Sequence, residues 1–340
     1  MNRPIKTTIY KDDLSDKTIV ITGATSGAGC ATAIEFAKHG AKIVLAGRNM
    51  EALDEVEAQC REMGALAIAV KADVTDASSL KELAAKAAEF GGSIDVWVNN
   101  AGVLAAGGFT ETPIEVHQQV ININLLGYLN GAHAVLPYFK RQMKGILINN
   151  ISIGGYLPVP YSVGYSASKF GLRGYSEALR GELIDFPGIH VCDLFPAFLD
   201  TPGIQHAANY TGKILRPAPP VYDPQRLARE IVSLAKKPKG SVTIGSVVPI
   251  MKFAHFIAPG LTRSITAKMV KVYLQKAEPA PETSGNLFAP SKFGTSIHGG
   301  WNSPADMEKR KKAFINSAII ATLATGIILL GKRQLSKKDR

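Results

Sequence analysis

The sequence predicts a doubly wound α/β fold, a parallel sheet with helices on both faces, and two observations lead to this prediction. Between residues 18 and 245, short β-branched apolar runs alternate with longer stretches of helical periodicity. The apolar runs are nearly continuous, as expected of strands that are buried on both faces. About seven strands are predicted, over residues 18–22, 42–46, 65–70, 94–99, 145–151, 189–195 and 241–245.

The segments between these runs favour helices. Residues 51–63 and 79–90 are rich in Ala and Glu, which have high helix propensity. Asp76 stands where the N-cap of the helix over residues 79–90 is expected. Gly40 fits the C-cap of the helix that precedes the second strand. This alternation predicts one domain over residues 15–250, preceded by an N-terminal extension over residues 1–14.

The alternation stops beyond residue 250. Residues 251–304 are predicted to form a C-terminal extension with an irregular linker or surface-draped segment, because residues 278–304 are rich in Pro, Gly and Ser. Residues 305–340 are predicted to form an apolar helix with basic flanks.

Composition and charge argue against several functional classes. The three cysteines, Cys30, Cys60 and Cys192, are far apart and odd in number, so we expect a reducing compartment and neither a disulfide framework nor a zinc site. The formal charge is +11, but residues 301–340 alone hold nine Lys or Arg and three Asp or Glu. We therefore predict no nucleic-acid partner. The N-terminus lacks the apolar stretch of a signal peptide.

A glycine-rich turn follows the first predicted strand. Residues 22–29 read TGATSGAG and lead directly into a helix. Glycines let the backbone approach a pyrophosphate, and a helix N-terminus supplies N–H groups and partial positive charge. The turn therefore predicts a dinucleotide site, with phosphate-binding residues Gly23, Thr25, Ser26, Gly27 and Gly29.

The end of the second strand indicates which dinucleotide binds. An acidic residue near this point would bind the ribose 2′-hydroxyl of NAD, but the sequence there is Ala46-Gly47-Arg48. The Arg48 guanidinium could pair instead with the 2′-phosphate of NADP. NADP(H) is therefore favoured over NAD(H).

Four polar residues form the candidate catalytic group. Tyr165 and Lys169 are four residues apart, which places their side chains on one face of a helix. Because a nearby ammonium stabilises a phenolate, we expect Lys169 to lower the pKa of Tyr165. Ser152, at the end of a predicted strand, and Asn124, in a buried-looking helical stretch, complete the group.

Together these motifs resemble the short-chain dehydrogenase/reductases of the single-domain type. The resemblance covers about residues 15–250 and implies a Rossmann-type sheet. The residues that carry it, in the order and spacing of that family, are TGATSGAG (22–29), Asp73-Val74, NNAG (99–102), Asn124, Ser152 and YSASK (165–169).

The resemblance implies a role for each catalytic residue. Tyr165 would be the general acid in reduction and the base in oxidation, and Ser152 would hydrogen-bond the substrate oxygen. Lys169 would also hold the nicotinamide ribose, and Asn124 would hold a water that links Lys169 to solvent. Beyond the glycine turn and Arg48, the implied cofactor residues are Asp73, Val74, Asn99, Ala101, Gly102, Tyr165, Lys169, Pro196 and Thr201.

The segment between residues 196 and 220 is expected to form a mobile lid over the substrate. Apolar residues in this lid and in residues 156–161 indicate an apolar or aromatic pocket. His206, within the lid, is expected at the surface. Ala197 stands where the resembled family has Gly, so the local backbone is not fixed by the resemblance.

The apolar stretch at 313–331 is a candidate membrane anchor. It carries no charge, has basic residues on both sides, and as a helix would measure about 28 Å, close to the hydrocarbon thickness of a bilayer. It could span the membrane, lie on its surface, or pack as an oligomerisation helix. We predict membrane association, with the catalytic domain in the cytoplasm.

The leading interpretation is an NADP(H)-dependent oxidoreductase that interconverts a carbonyl and an alcohol on an apolar or lipid-like substrate. One alternative is a membrane-anchored scaffold that binds dinucleotide without turnover. Another is a dehydratase or epimerase with retained cofactor. The resemblance further implies a homodimer or homotetramer, packed through the helices that carry Asn124 and Tyr165. No metal is predicted, since the histidines are scattered.

Overall fold

The structure, a computed structural model, describes residues 14–291 and 293–302. The strands are β1 (Thr18–Thr22), β2 (Lys42–Gly47), β3 (Ala67–Lys71), β4 (Val96–Asn99), β5 (Ala105–Gly107), β6 (Gly145–Asn150), β7 (Ile189–Pro196), β8 (Ala208–Tyr210) and β9 (Ser241–Ile244). The helices are α1 (Gly27–Lys38), α2 (Met50–Glu62), α3 (Ala77–Gly91), α4 (Ile114–Ile121), α5 (Gly127–Gln142), α6 (Val163–Glu182), α7 (Pro224–Lys236), α8 (Val247–Ile257) and α9 (Pro259–Lys276). A π-helical turn, Asn122–Leu126, joins α4 to α5.

The main sheet has seven parallel strands in the order β3-β2-β1-β4-β6-β7-β9. The seven strands predicted from the sequence are confirmed. β5 and β8 form a separate parallel pair that the sequence did not predict, because each is only three residues long.

The core lies on both faces of this sheet because strand side chains alternate between faces. In β1, Ile19 and Ile21 pack in the same cluster as Phe36 of α1. Val20, between them, packs with Trp97 and Leu83 on the opposite face. Burial on both sides explains why these strands have continuous apolar sequences.

The strand order reverses direction between β1 and β4. From β1 the chain moves outward to β2 and β3, and then crosses to β4 on the other side of β1. The helices diverge at this point, so a crevice forms at the carboxyl ends of the two strands, where doubly wound folds bind ligands.

The predicted helices are confirmed in α2 and α3, and Asp76 caps α3 by accepting a hydrogen bond from the Ser78 N–H at 2.8 Å. The extension beyond residue 250 is more regular than expected, because α8 and α9 occupy residues 247–276. No helix within residues 14–291 and 293–302 is long and apolar enough to cross a membrane. The predicted anchor, 313–331, and residues 1–13 lie outside the described ranges.

After α9, the chain returns to the carboxyl edge of the sheet. We call residues 283–302 the C-terminal strap; within it, Lys292 is not described. Thr283 exchanges backbone hydrogen bonds with Asn209 of β8, at 2.8 and 3.0 Å. Leu287 is fully buried in an apolar cluster that includes Val103. These contacts hold the strap against the lid and the cavity described next.

Candidate active site

The carboxyl ends of β1, β4, β6 and β7 meet at one cavity of about 420 Å³. Gly23, Ala101, Ser152 and Pro196, which follow or end these strands, all lie in its wall. The cavity therefore occupies the crevice that the strand order predicts. Within the described residues, no group of three or more His, Cys, Asp or Glu side chains could hold a metal ion.

The glycine turn follows the wall of this cavity. Gly23 and Gly27 have φ values of +65° and +52°, a backbone conformation that residues with a Cβ rarely adopt. A Cβ at Gly23 would lie 2.7 Å from the Cα of Ala101, so only glycine lets the turn approach β4. Thr25 and Ser26 also line the cavity.

Gly29 differs from the expectation that it contacts the pyrophosphate. It lies behind the turn and outside the cavity wall. A Cβ on Gly29 would collide with the carbonyl oxygen of Gly23. Its role is therefore close packing of α1 against the turn, as the third glycine of such turns can provide.

Asn99 is a second correction. It is buried outside the cavity: its Oδ1 accepts from the Trp97 indole at 2.9 Å, and its Nδ2 donates to Asn149 Oδ1 at 3.0 Å. Asn100 lines the cavity instead, and its Nδ2 donates to the carbonyl of Gly23 at 3.1 Å. The two asparagines face opposite ways because successive side chains alternate along an extended chain.

Most of the other predicted cofactor residues lie in the cavity wall. Asp73 is fixed by Thr75, whose N–H and hydroxyl donate to its carboxylate at 2.9 and 2.8 Å. The residues placed in the wall, besides those of the turn, are Arg48, Asp73, Val74, Ala101, Gly102, Tyr165, Lys169, Pro196 and Thr201.

Ser152 has a strained backbone at the centre of the candidate catalytic group. Its φ of 118° and ψ of 157° fall in a region that is essentially reserved for glycine. The hydroxyl oxygen accepts a hydrogen bond from the Gly154 N–H at 3.1 Å and is also hydrogen-bonded to Tyr165. Strain at a position with such contacts is typical of functional sites.

The Tyr165 and Lys169 side chains both reach the cavity from α6. Burial raises the pKa of Tyr165, whereas its hydrogen bond with Ser152 acts to lower it. The expected net lowering of this pKa by Lys169 is therefore not found. Burial also lowers the pKa of Lys169 to about 7, because desolvation disfavours the ammonium form.

Asn124 lies fully buried behind the cavity wall, within the π-helical turn. Its Oδ1 accepts from the Val103 N–H at 2.8 Å, and its Nδ2 donates to the Val103 carbonyl at 2.9 Å and to Ser168 Oγ at 3.2 Å. Both amide hydrogens are thus used within the protein. If this side chain binds a water, as the resemblance implies, only the second lone pair of Oδ1 remains to accept a hydrogen bond from that water.

The C-terminal strap forms the remaining wall, which sequence reasoning missed. Arg48 donates through its two terminal nitrogens to the backbone carbonyls of Asn286, at 2.5 Å, and Leu287, at 3.3 Å. The Gly27 N–H, at the start of α1, donates to the Ser296 carbonyl at 3.0 Å. The Pro- and Gly-rich composition indicated an irregular segment but gave no signal of where it would lie.

The lid and the apolar wall agree only partly with expectation. Val159, Phe198, Leu199 and Ile204 line the cavity, whereas Tyr156, Leu157, Tyr161, Tyr210 and Ile214 do not. His206 is buried rather than at the surface, and its Nε2 lies 2.9 Å from the Phe293 carbonyl of the strap. Burial lowers the pKa of His206.

The polar groups of the cavity fit a dinucleotide. The start of α1 and the positive-φ glycines provide a cradle for a pyrophosphate. The side-chain oxygens of Asn150 and Asn286, both in the wall, are buried without a hydrogen-bond partner. Such oxygens can accept hydrogen bonds from the hydroxyl or amino groups of a ligand.

Comparison with known proteins agrees with this geometry. Residues 17–210 match the family described as short chain dehydrogenase. The oxidoreductase YxnA of Bacillus subtilis (strain 168) is 32% identical over 334 residues, which are 95% of this chain and 93% of that protein. Dehydrogenase/reductase SDR family member 7 of Homo sapiens is 37% identical over 190 residues, 54% of this chain and 56% of that protein.

Two solved structures share the fold. An alcohol dehydrogenase from the archaeon Thermococcus sibiricus, complexed with 5-hydroxy-NADP, has a TM-score of 0.59 and 28% identity. A metagenomic short-chain oxidoreductase in complex with NADP has a TM-score of 0.58 and 26% identity. Each match covers 68% of this chain and 97% of the solved chain.

Proposed function

This chain belongs to the short-chain dehydrogenase/reductase family and is an oxidoreductase, and we propose that it uses NADP(H) to interconvert a carbonyl and an alcohol, with Tyr165 as general acid/base. One observation carries the proposal. The hydrogen-bonded pair Tyr165 and Ser152, together with Lys169, opens into the same cavity as the glycine turn at the start of α1.

In the reduction, bound NADPH would supply the hydride that reduces the carbonyl carbon of the substrate. Tyr165 donates its proton to the carbonyl oxygen, and the Ser152 hydroxyl donates a hydrogen bond to the same oxygen. The raised pKa of Tyr165 keeps the phenol protonated at neutral pH, which suits this acid role. The ammonium form of Lys169 then stabilises the phenolate that remains.

The proposed preference for NADP(H) rests on Arg48. It lies in the cavity wall just after β2, at the position where NAD-binding folds often carry an acid. Its guanidinium has five donors, so its bonds to the strap carbonyls leave others for a 2′-phosphate. The binding of NADP and of an NADP derivative by the two solved relatives supports the same choice.

The proposed substrate is an apolar or lipid-like carbonyl compound or alcohol. Phe198, Leu199 and Ile204 from the lid and Phe293 from the strap line the same cavity as the catalytic group. Apolar side chains of this kind bind uncharged substrate surface. They disfavour charged substrates, because a charged group would lose its hydration there without a compensating partner.

The test is turnover of aliphatic and aromatic aldehydes and ketones by the purified full chain, followed by NADPH absorbance. Tyr165→Phe should lower kcat by about 10²–10⁴-fold, the usual contribution of a general acid, and should change the Kd for NADPH far less than it changes kcat. Tyr175→Phe is the matched control on the same helix, since its buried hydroxyl has no partner and lies outside the cavity. Full turnover by Tyr165→Phe would refute the assignment.

The scaffold alternative makes a different prediction in the same assay. A scaffold would bind NADPH but reduce no carbonyl in the panel. A dehydratase or epimerase would purify with cofactor bound and show no net oxidation. The shared cavity of Tyr165, Ser152 and Lys169 favours the oxidoreductase over the scaffold, and the glycine spacing in residues 22–29 favours it over the dehydratase or epimerase.

Membrane association of the cytoplasmic enzyme through residues 313–331 is part of the proposal and rests on sequence. Leu323 lies next to the midpoint of this uncharged stretch. Leu323→Lys should release the chain from sedimented membranes, because a central lysine costs roughly 3 kcal/mol on insertion scales. Gln334→Lys, beyond the stretch, is the control and should remain bound. Equal retention of both variants after reconstitution into vesicles of phosphatidylcholine alone, which lack anionic lipid, would refute the anchor.

The proposal also includes a homodimer or homotetramer formed through the π-helical turn, α5 and α6. Leu126 and Phe170, on these elements, are exposed apolar side chains that such an interface would cover. Sedimentation of the full chain should therefore give a mass of two or four chains. Phe170→Glu should reduce the mass to one chain.

A further inference from the structure

We propose that α8 and α9 form a docking surface for an anionic lipid bilayer, and we call these two helices the apolar hairpin. Residues 14–291 and 293–302 cover almost none of the hairpin: among them α9 has no buried residue, and in α8 only Val248 is buried. The exposed large apolar side chains of the hairpin are Ile250, Met251, Phe253, Phe256, Ile257, Leu261, Ile265, Met269 and Val272. Exposed apolar side chains clustered on two contacting helices point to an interaction site.

The spacing of these side chains gives each helix an apolar stripe. Ile250, Phe253 and Ile257 recur at intervals of three and four residues along α8. Leu261, Ile265, Met269 and Val272 do the same along α9. Residues three or four apart lie on one face of a helix, so each stripe occupies one face of its own helix.

Charge identifies the partner. Residues 247–277 contain no Asp or Glu, and their cations are Lys252, Arg263, Lys268, Lys271 and Lys276, all exposed. Lys268 and Lys276 fall within the α9 stripe by the same helical spacing. An apolar face with interspersed lysines suits a bilayer, where the side chains extend to anionic headgroups while the apolar groups enter the acyl boundary.

The same charges disfavour a second copy as the occupant. In a two-fold interface the same surface faces itself, so the lysines of one hairpin would oppose those of the other. Unneutralised like charges across an interface cost several kcal/mol. Anionic lipid, by contrast, gains about 1 kcal/mol for each Lys or Arg near its surface.

The position of the hairpin links this surface to the active site. α8 begins three residues after the end of β9, at the carboxyl edge of the sheet, where the cavity also lies. Val248 packs with Ile151 and Ala197, which line the cavity. Docking by the hairpin would therefore bring the catalytic edge of the sheet to the bilayer. The inference does not depend on the reaction proposed above.

A site-specific depth probe tests the proposal in the full chain. Phe256 is 80% exposed, so Phe256→Trp should leave the fold intact. Because the chain also contains Trp97 and Trp301, the emission of the unsubstituted chain is subtracted from that of each variant. With vesicles of brominated phosphatidylcholine and phosphatidylserine, the remaining emission from position 256 should shift to the blue and lose roughly half of its intensity. Ile184→Trp is the matched control, because Ile184 is 79% exposed and lies before β7, at the opposite edge of the sheet. Its emission should not change.

The charge contribution is tested in the same assay. Lys268→Gln combined with Lys276→Gln, on the Phe256→Trp chain, should raise the lipid concentration for half-maximal quenching by about 30-fold. Quenching at position 256 reports the hairpin itself, so an anchor at 313–331 cannot produce the signal alone. The proposal is overturned if vesicle-bound protein shows no quenching at position 256, or if quenching is equal without phosphatidylserine. It is also overturned if Phe256→Glu halves the mass of the chain in solution, which would assign the surface to a second copy.

Discussion

The ammonium nitrogen of Lys169 lies 5.6 Å from the centre of the Tyr165 ring and donates a hydrogen bond of 3.4 Å to the carbonyl oxygen of Asn150. That carbonyl also accepts a hydrogen bond from the Tyr128 hydroxyl at 2.7 Å. The lysine is therefore held beside the phenol ring by a backbone group of β6, while its burial lowers its own pKa to about 7.

This burial predicts a pH-dependent stability. Between about pH 7 and pH 10.5, the unfolded chain binds a proton at Lys169 that the folded chain does not, so this residue makes stability rise with pH. Lys169→Met removes the penalty and should stabilise the protein by roughly 3–5 kcal/mol below pH 7, with the gain vanishing near pH 10.5. Denaturant unfolding of both chains, below pH 7 and near pH 10.5, measures this gain in the free energy of unfolding. The exposed control Lys81→Met should give no such trend, and a pH-independent gain in Lys169→Met would contradict the prediction.

Ser152 should show a trade-off between stability and activity. Glycine tolerates its φ of 118° whereas alanine does not, so Ser152→Gly should be more stable than Ser152→Ala by about 1–2 kcal/mol. Both variants lack the hydroxyl, so both should lose kcat to a similar extent. Thermal unfolding and steady-state kinetics measure the two effects. Equal stability of the two variants would show that the backbone there is unstrained.

Asn99 and Asn100 should separate folding from cofactor binding. Asn99→Ala leaves the Trp97 indole N–H and the Asn149 side-chain oxygen without these hydrogen bonds. This should cost on the order of 1–3 kcal/mol of unfolding free energy and should not change the Kd for NADPH. Asn100→Ala should raise that Kd several-fold, because its amide braces the glycine turn at Gly23. Titration of each variant with NADPH, followed by nicotinamide fluorescence, measures the two Kd values. The reverse pattern would restore Asn99 as a cofactor residue.

Arg48 should discriminate between the two nicotinamide cofactors. Loss of a charge-assisted hydrogen bond costs about 1.5–3 kcal/mol, so Arg48→Ala should weaken NADPH binding by roughly 10–100-fold. NADH binding should not change if the guanidinium acts on the 2′-phosphate alone. A parallel loss for both cofactors would show instead that Arg48 acts by holding the strap at Asn286 and Leu287.

The C-terminal strap should become more protected when cofactor binds. Its backbone carbonyls hold Arg48 and the start of α1. The side-chain oxygen of Asn286, a residue of the cavity wall, is buried without a hydrogen-bond partner. NADPH should therefore slow hydrogen exchange in the strap. Leu287→Ala, which empties a fully buried site, should raise the Kd for NADPH, whereas Phe288→Ala, exposed and adjacent, should not. Faster exchange with NADPH would mean that the strap is displaced instead.

The sequence predicted the sheet because its inner strands, such as β1, β2 and β4, are buried on both faces and are therefore continuously apolar. Tyr165, Lys169 and Ser152 could be predicted for a related reason: helical spacing and strand ends fix which side chains meet. The errors arose where tertiary contacts decide. Nothing local to the NNAG sequence states which asparagine faces the cavity, and His206 is buried only because the strap covers it.

The sequence did not predict the two helices of the apolar hairpin or the position of the strap, and the physical reasons differ. In α9, apolar and basic residues share one face, so the alternation that marks a core-facing helix is absent. The strap has no periodicity, and its position depends on backbone carbonyls, which every residue carries.

The π-helical turn Asn122–Leu126 limits which insertions and deletions this chain can tolerate. Each residue in a helix adds about 100° of rotation, so removing one residue from the wide turn would rotate α5 against α4 by that angle. α4 packs toward the strap through Val116 and Val120, while Asn130 of α5 donates to the Val74 carbonyl at 2.9 Å. A single deletion here would therefore shift the contacts of α4 with the strap relative to the contact of α5 with Val74. We expect length variation to be tolerated in the surface loops and not at this turn.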